Sequence, residues 1–199
     1  MQNIVSKLNT FATISAGHPI RDAVRHMPGG ETAVVQIKNV DVETGVDWPT
    51  VARTNLTGRR EPDWLRTGDL IFSARGERNV AVCVEAPPPM AVCSPHFFLI
   101  RVKDVKAVLP EFVAWQMNQP HAQQYFAQSA TGSYIKSIRR QVLEGLELFV
   151  PNLERQQLLV RLAKAVQHEK RILEKLIENR RQEIDLLAAG LLTPAKRTE

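Results

Sequence analysis

The sequence lacks the features that are typical of membrane, secreted or metal-binding proteins. No apolar run approaches the roughly 18 residues of a membrane span, and no basic segment followed by an apolar core begins the chain. Only two cysteines are present, Cys83 and Cys93; they lack the C-x-x-C spacing of a zinc or redox site, and the five histidines are scattered. We therefore expect a cytoplasmic protein with reduced thiols, no bound metal and no membrane association.

The sequence also lacks the short motifs of the commoner enzyme classes. It contains no G-x-G-x-x-G, G-x-x-x-x-G-K-[ST], H-E-x-x-H or G-x-S-x-G. The [DN]-P-P-[YFW] tetrapeptide of an amino-methyltransferase is missing, and Pro62-Asp63 has no nearby E-x-K to complete a metal-dependent nuclease site. We expect no catalytic residue and no cofactor; a nuclease site assembled only in space is the remaining enzymatic alternative.

The charge balance leans towards basic residues. The 199 residues include 26 Lys and Arg against 21 Asp and Glu, a net charge of +5, and the isoelectric point is near 9.5. This balance favours a polyanionic partner. The hydrophobic share of 44% and the charged share of 24% are ordinary for a folded domain and exclude large-scale disorder.

Short apolar runs bounded by turn-forming residues dominate residues 1–151. Four such runs have the composition of strands, and two later segments that begin at prolines have the period of helices. The predicted strands cover 32–40, 68–74, 79–86 and 97–102, and the predicted helices cover 110–119 and 120–128. This pattern predicts a mixed, strand-rich α+β domain.

The amino-acid composition changes after Pro151: no glycine occurs between Pro151 and Gly190, and no proline between Pro151 and Pro194. Residues 152–192 are predicted to form one long helix, and residues 193–199 a flexible tail. The stretch between Pro151 and Gly190, about 38 residues, would alone form a helix roughly 55 Å long. Because such a length exceeds that of most globular helices, pairing with another helix is favoured over packing along its own domain, which remains the alternative.

A seam of alternating three- and four-residue steps runs along this predicted helix, as in the a and d positions of a coiled coil. If two copies pair antiparallel about a point between Glu174 and Lys175, apolar residues face apolar residues and an acid faces a base in most layers. The residues predicted to mediate this homodimer are Leu162 opposite Leu187, Leu173 opposite Leu176, and Glu169 opposite Arg180. The same register leaves Val166 facing Glu183.

A cluster of basic residues precedes the strand that leads into this helix. The segment TGSYIKSIRR, residues 131–140, contains Lys136, Arg139 and Arg140 and no acid. Together with the hydroxyl of Ser133 and an approachable glycine backbone, this composition suits contacts with phosphates. A solvated basic loop has the same composition and remains the alternative.

A second basic segment lies between two predicted strands. Arg75 and Arg78 flank Gly76 in IFSARGERN, at the position of a hairpin tip. Two guanidinium groups at a tip suit bidentate contacts with guanine in a major groove. Hairpin tips are polar in any case, so a pair of solvated charges is an equal alternative.

Two weaker candidates lie earlier in the chain. Gln36, Lys38 and Asn39 fall in VQIKNVD, and Arg59 and Arg60 fall in TGRREPDW. Glutamine and asparagine can pair with adenine, but the same residue types form turns, which is the favoured interpretation for either segment alone.

The order of these segments resembles a known family. GDLIFSARG, FFLIRV, PEFVAWQMNQPHAQQYF and TGSYIKSIRRQVLEGLELFVPNLERQQLLVRL, followed by the long charged helix, are similar to one target-recognition unit of the type I restriction-modification specificity subunit. The most specific part is the succession of G-S-x-I-K at 132–136, L-E-x-L at 143–146 and V-P-x-L-E-x-Q at 150–156. The resemblance spans nearly the whole chain.

The resemblance implies a strand-rich target-recognition domain, a spacer helix and a role in DNA methylation and phage defence. It assigns DNA-facing positions to Arg75, Ser133 and Lys136, and it implies as partners double-stranded DNA, methyltransferase subunits and, in full complexes, a restriction translocase subunit. The full subunit has two recognition units where this chain has one, so the chain resembles a half-subunit that pairs with itself or with another half-subunit. The alternative is a regulatory protein on the same scaffold that binds a methyltransferase without reading DNA.

Overall fold

A computed structural model describes residues 4–20, 24–57, 61–76, 78–131 and 137–192; of residue 192 it describes the backbone alone. The described part contains strands throughout its first hundred residues and helices mainly after them. The elements are β1 (Ile4–Lys7), α1 (Leu8–Phe11), β2 (Ala12–Ala16), β3 (Thr32–Val35), β4 (Val40–Asp41), β5 (Gly45–Val46), β6 (Ala52–Thr54), β7 (Leu70–Ser73), β8 (Ala81–Cys83), β9 (Ala91–Cys93), β10 (Phe97–Val102), α2 (Pro110–Met117), α3 (Pro120–Ser129), α4 (Arg140–Glu144), β11 (Glu147–Val150) and α5 (Leu153–Leu192).

The predicted fold class, a strand-rich α+β domain followed by a long helix, is confirmed. The helices α2 and α3 begin at Pro110 and Pro120, where proline lacks only an N–H that the first helical turn leaves unpaired. The strand predicted over 32–40 is wrong in its second half. It ends at Val35, and a 3-10 turn follows because the Asn39 side chain accepts a hydrogen bond from the Gln36 backbone.

Among the described residues, the strands form two sheets and two smaller ribbons. The larger sheet is antiparallel with the strand order β2-β10-β7-β8. The smaller sheet has the order β6-β3-β9, in which β3 and β9 are parallel. The ribbons pair β1 with β11 and β4 with β5.

The larger sheet is covered on both of its faces. In β10, Ile100 and Val102 pack in a cluster with side chains of the helices α1 to α4, whereas Phe97 and Leu99 pack with residues of the smaller sheet. Successive residues of a strand point to opposite faces, so the helices and the smaller sheet lie on opposite sides of the larger one. Burial on both faces explains why the first four residues of β10, Phe97–Ile100, are all apolar rather than alternating with polar residues.

An asparagine side chain covers the outer edge of β8. Asn118, which follows α2, accepts a hydrogen bond from the Ala81 N–H at 3.0 Å and donates one to the Ala81 carbonyl at 2.7 Å. The amide therefore takes the place of a neighbouring strand. Pairing of this kind protects an edge that would otherwise offer its backbone to another chain.

The chain forms two compact units, Met1–Val160 and Arg161–Glu199. The first turn of α5 belongs to the first unit, where Gln156 is fully buried. Its Oε1 accepts from the Leu109 N–H at 2.9 Å, and its Nε2 donates to the carbonyls of Ala107 and Pro151 at 2.9 and 2.8 Å. In the second unit, none of the residues whose burial is described, 161–191, is buried. Across the described residues, no helix is both long and apolar enough to cross a membrane.

Candidate nucleic-acid interface

The connection between β7 and β8 carries two of the predicted DNA-binding residues. Arg75 and Arg78 are both exposed there, and the antiparallel pairing of β7 with β8 makes the connection a hairpin tip, as predicted. Gly76 lies between them with a φ of +122°. Residues that carry a side chain rarely adopt this backbone conformation, so a glycine allows the tip to turn without strain.

Hydrogen bonds from side chains hold the backbone of this tip. Ser73, which is buried, accepts a bond from the Val80 N–H at 2.6 Å and donates one to the Arg78 carbonyl at 2.9 Å. Asn79 donates from Nδ2 to the Ser73 carbonyl at 2.9 Å. The arginines therefore project from a backbone whose conformation is fixed on both sides of the tip.

Two residues of the basic segment 131–140, Thr131 and Ser137, lie beside the same tip. Ser137 forms antiparallel bridges with both Arg75 and Thr131. The backbones of Thr131 and Ser137 exchange hydrogen bonds of 3.1 and 2.9 Å, and the Ile138 N–H donates to the Ala74 carbonyl at 2.9 Å. Residues directly opposite one another in an antiparallel pair present their side chains to the same face, so Thr131, Ser137 and Arg75 form one row.

The turn at Ile37–Asn39 borders the tip as well. A side-chain atom placed on Gly76 would lie 3.9 Å from the Ile37 Cδ1. Lys38, the next residue, is exposed. The structure therefore places the Lys38 segment next to the loop that carries Arg75.

Four basic residues of the tip, the turn and the basic segment have no acidic partner within the described part of the chain. Lys38, Arg75, Arg78 and Arg139 are exposed and form no ion pair there. Arg140 differs, because its Nε lies 2.7 Å from the Glu144 carboxylate one turn later in α4. Unpaired guanidinium groups keep all their donors available to a ligand.

Asn39 is not available to a ligand. Its side chain is buried, donates to the carbonyl and hydroxyl oxygens of Thr50 at 3.0 and 3.1 Å, and accepts from the Gln36 N–H at 2.9 Å. These bonds agree with the turn-forming interpretation that the sequence favours, and they leave the Asn39 amide unavailable for contact with adenine. The predicted contacts Ser133, Lys136, Arg59 and Arg60 lie outside the described residues.

The predicted dimerisation seam is solvent-exposed along the second unit. Each leucine of the seam has half or more of its surface exposed, and Glu169 and Arg180 are exposed too. The leucines are Leu162 at 54%, Leu173 at 52%, Leu176 at 51% and Leu187 at 62%. Arg180 pairs with Glu183 of its own helix at 2.7 Å, and this leaves other guanidinium donors for a second acid.

Asp63, next to Pro62, and Asp69 both bind Arg101, a residue that no sequence motif indicated. Arg101 in β10 forms two hydrogen bonds of 2.7 Å with Asp69 and one of 3.0 Å with Asp63. The hydrogen bond to Asp69 is the main reason why the pKa of Arg101 lies above its ordinary value. Asp63 also accepts from the Ser15 hydroxyl at 3.2 Å. These carboxylates are used to fix the segment before β7 to the sheet.

Among known proteins, the comparisons found similarity to this chain only in solved structures. No family model matches the chain, and no curated protein matches it. The type I restriction-modification S subunit of M. genitalium has a TM-score of 0.58 at 16% identity over 96% of this chain, and the HsdS subunit of Thermoanaerobacter tengcongensis has 0.57 at 18% over 100%. A chain from a structure of complex assembly and conformational transition in the type I R-M system has 0.64 at 14% over 96%.

The chain spans about half the length of these structures, covering 46%, 44% and 48% of them. At such low identity the likeness establishes the fold. The chain shares the fold of about half of such a subunit, a strand-rich α+β domain followed by one long helix, in agreement with the resemblance in the sequence.

Proposed function

We propose that this chain is a non-catalytic DNA-recognition subunit of a type I restriction-modification system. Its first unit binds double-stranded DNA, and α5 joins two copies. The observation that carries the proposal is the row of Arg75, Ser137 and Thr131, with unpaired cations around a hydrogen-bonded hairpin tip. The fold supports it, because the chain has the architecture of half a specificity subunit.

The hairpin tip is the proposed reader of bases. A guanidinium group can donate two parallel hydrogen bonds to the O6 and N7 atoms of guanine, and each such pair discriminates between bases by about 1–3 kcal/mol. Arg75 and Arg78 are exposed and unpaired within the described residues, so neither must give up an ion pair to make this contact. A fixed backbone also lowers the entropy lost on binding.

The basic segment is the proposed phosphate grip. Thr131 and Ser137 flank the predicted contacts Ser133 and Lys136 and lie next to Arg75. Arg139, which immediately precedes α4, adds an exposed charge. Phosphate contacts set the position of the protein on the duplex and make affinity fall with salt concentration.

The exposed seam of α5 is the proposed dimer interface. An antiparallel pair would bury Leu173 against Leu176 and set Glu169 opposite Arg180, each layer occurring twice. Apolar stripes of this length on soluble proteins mark sites of association. A two-fold dimer would recognise an inverted repeat with half-sites about 34–36 Å apart, or a multiple of that distance.

A recognition subunit of this kind requires catalytic partners. The sequence lacks the [DN]-P-P-[YFW] tetrapeptide, so methylation would come from methyltransferase subunits positioned by the DNA-bound dimer. A restriction translocase subunit would join the same assembly where cleavage accompanies methylation.

Selection from a random-sequence duplex pool tests the proposal with the full chain. We expect enrichment of an inverted repeat and a steep loss of affinity with rising salt. Lys136→Ala should weaken binding to all duplexes alike, whereas Arg75→Ala should relax preference at one base pair by about 1–3 kcal/mol. If wild-type protein enriches no sequence yet still binds a methyltransferase, the regulatory alternative is correct and DNA recognition is excluded.

A further inference from the structure

A glutamine of α3 is bonded to the loop that carries the candidate reading arginines. Gln123 donates from Nε2 to the carbonyl oxygens of Asn79 and Met117, at 2.8 and 2.7 Å. Asn79 in turn donates to the Ser73 carbonyl. One amide group therefore links the hairpin tip to two helices, since Met117 ends α2.

The helix that carries Gln123 is firmly packed. Its neighbours Ala122 and Phe126 are buried in the core. The Phe126 ring lies 4.8 Å, centroid to centroid, from that of Phe72, the residue before Ser73 in β7. The tip and its support are thus fixed to the same part of the core, so movement of the tip relative to α3 requires the Gln123 bond to break.

We infer that Gln123 is a positioning residue, which holds the loop of Arg75 and Arg78 in the orientation that discriminates between base pairs. This inference rests on the proposed function. Bidentate pairing with guanine is directional, because hydrogen bonds weaken steeply away from linearity. Attraction to phosphates depends mainly on charge and tolerates a mobile loop. Loss of Gln123 should therefore reduce sequence preference far more than general affinity for DNA.

The chain offers a matched control in Gln116 of α2. Its amide also binds backbone groups in a distant segment, donating to the Phe149 carbonyl at 2.7 Å and accepting from the Phe149 N–H at 3.0 Å. Both glutamines are half-buried. Gln116 supports β11, whereas Gln123 supports the tip, so the two variants separate a local effect on reading from a general loss of stability.

The experiment compares full-length wild type, Gln123→Met, Gln123→Ala and Gln116→Ala. Methionine keeps the side-chain length and removes both donors. The probes are the duplex that wild type enriches from a random pool, the same duplex with one base pair exchanged at the position where Arg75→Ala loses preference, and a scrambled duplex. Amide hydrogen exchange of a peptide covering residues 74–80 is measured in the DNA-free protein.

Both Gln123 variants should reduce the affinity ratio between the enriched and exchanged duplexes about tenfold. Affinity for the scrambled duplex and the slope of affinity against salt should stay within twofold of wild type, and exchange of the peptide should be faster. Gln116→Ala should retain the wild-type ratio. A purely structural role for Gln123 would lower stability without changing the ratio.

The outcomes separate the inference from the proposed function. Enrichment by wild type, together with an unchanged ratio in both Gln123 variants, overturns the inference and leaves the proposed function standing. An equal loss of ratio in Gln116→Ala also overturns it, because the effect would then be general. If wild type enriches no duplex at all, both the proposed function and the inference fail.

Discussion

The two units of this chain differ in how much of their apolar surface is buried. The first unit buries apolar side chains on both faces of its larger sheet, and it pairs the buried amide of Gln156 and the half-buried amide of Asn118. In the second unit, no residue of the described stretch 161–191 is buried, and its leucines are half exposed or more. The first unit forms its core within one chain, whereas the second presents a seam of exposed apolar side chains, a feature that marks sites of association.

The difference lies in the source of the stabilising free energy. Burial in the first unit is intramolecular and therefore independent of protein concentration. A single helix gains little from burial, and most of the stability of helices in proteins comes from packing of an apolar face. Pairing of two copies would supply that packing, so the stability of the second unit should depend on concentration.

The strongest test of this contrast places acids in the middle of the seam. Leu173→Glu combined with Leu176→Glu would set four carboxylates together in the antiparallel pair, so we expect loss of the dimer with at least a hundredfold rise in the dissociation constant. Sedimentation over a range of concentrations measures this change. The melting temperature of the first unit, followed by the fluorescence of its residues Trp48, Trp64 and Trp115, should not change.

The control for that variant introduces the same two residues outside the seam. Arg171→Glu with Lys175→Glu adds two acids at positions that the heptad pattern directs to solvent, and it should retain the dimer. Equal dissociation of both double variants would mean that charge in general, rather than the seam, governs association. Unchanged sedimentation of the Leu173 and Leu176 variant would exclude pairing through these residues.

A second test compares the same residue type in the two units. Gln156→Ala leaves the Leu109 N–H and the carbonyls of Ala107 and Pro151 without their partner in a buried site, which should cost about 3 kcal/mol. Gln182, which donates a hydrogen bond to Glu178 on the exposed surface of α5, should change the free energy of unfolding by less than about 0.5 kcal/mol when replaced by alanine. Denaturation followed by tryptophan fluorescence measures both.

Equal effects of the two glutamine changes would contradict the contrast. A small effect at Gln156 would mean that water satisfies the three backbone groups, and the junction before α5 would then be looser than the hydrogen bonds indicate. A large effect at Gln182 would place the second unit within the same cooperative transition as the first.

A charge exchange in the seam sharpens the predicted register of the pair. Glu169→Arg or Arg180→Glu alone would bring like charges together in two layers, and each should weaken dimerisation about tenfold, or about 1.4 kcal/mol. Combining the two restores opposite charges and should return the dissociation constant to within about threefold of wild type. Equal behaviour of the three variants in sedimentation would reject this register.

Interactions between neighbours along the chain could be predicted from the sequence, whereas interactions between distant residues could not. The starts of α2 and α3 follow from proline itself, and the hairpin tip follows from two strand-like runs around a glycine; both were correct because neighbours along the chain determine them. The bridge between Arg75 and Ser137 and the bond between Gln123 and Asn79 join residues far apart in sequence. No local pattern specifies such partners, so only the folded chain identifies them.

Asn39 shows how the same limit leaves a site prediction with two interpretations. Its residue type suits both adenine and a turn, and the choice is made by Thr50, which lies eleven positions further along and accepts its hydrogen bonds. The parallel pairing of β3 with β9 was missed for a related reason, since β9 is only three residues long and its partner strand lies much earlier in the chain.

A pH-dependent effect is expected from Cys93 in the core of the first unit. Burial raises the pKa of its thiol from 9.0 to about 12, because the charged thiolate is poorly solvated there. Between these values the unfolded chain loses the proton that the folded chain keeps, so the unfolding free energy should fall as pH rises above 9. Cys93→Ala should show a shallower decline than wild type in denaturation series from pH 8 to about 11. Parallel declines in the two proteins would mean that the thiol ionises in the folded state as readily as in the unfolded one.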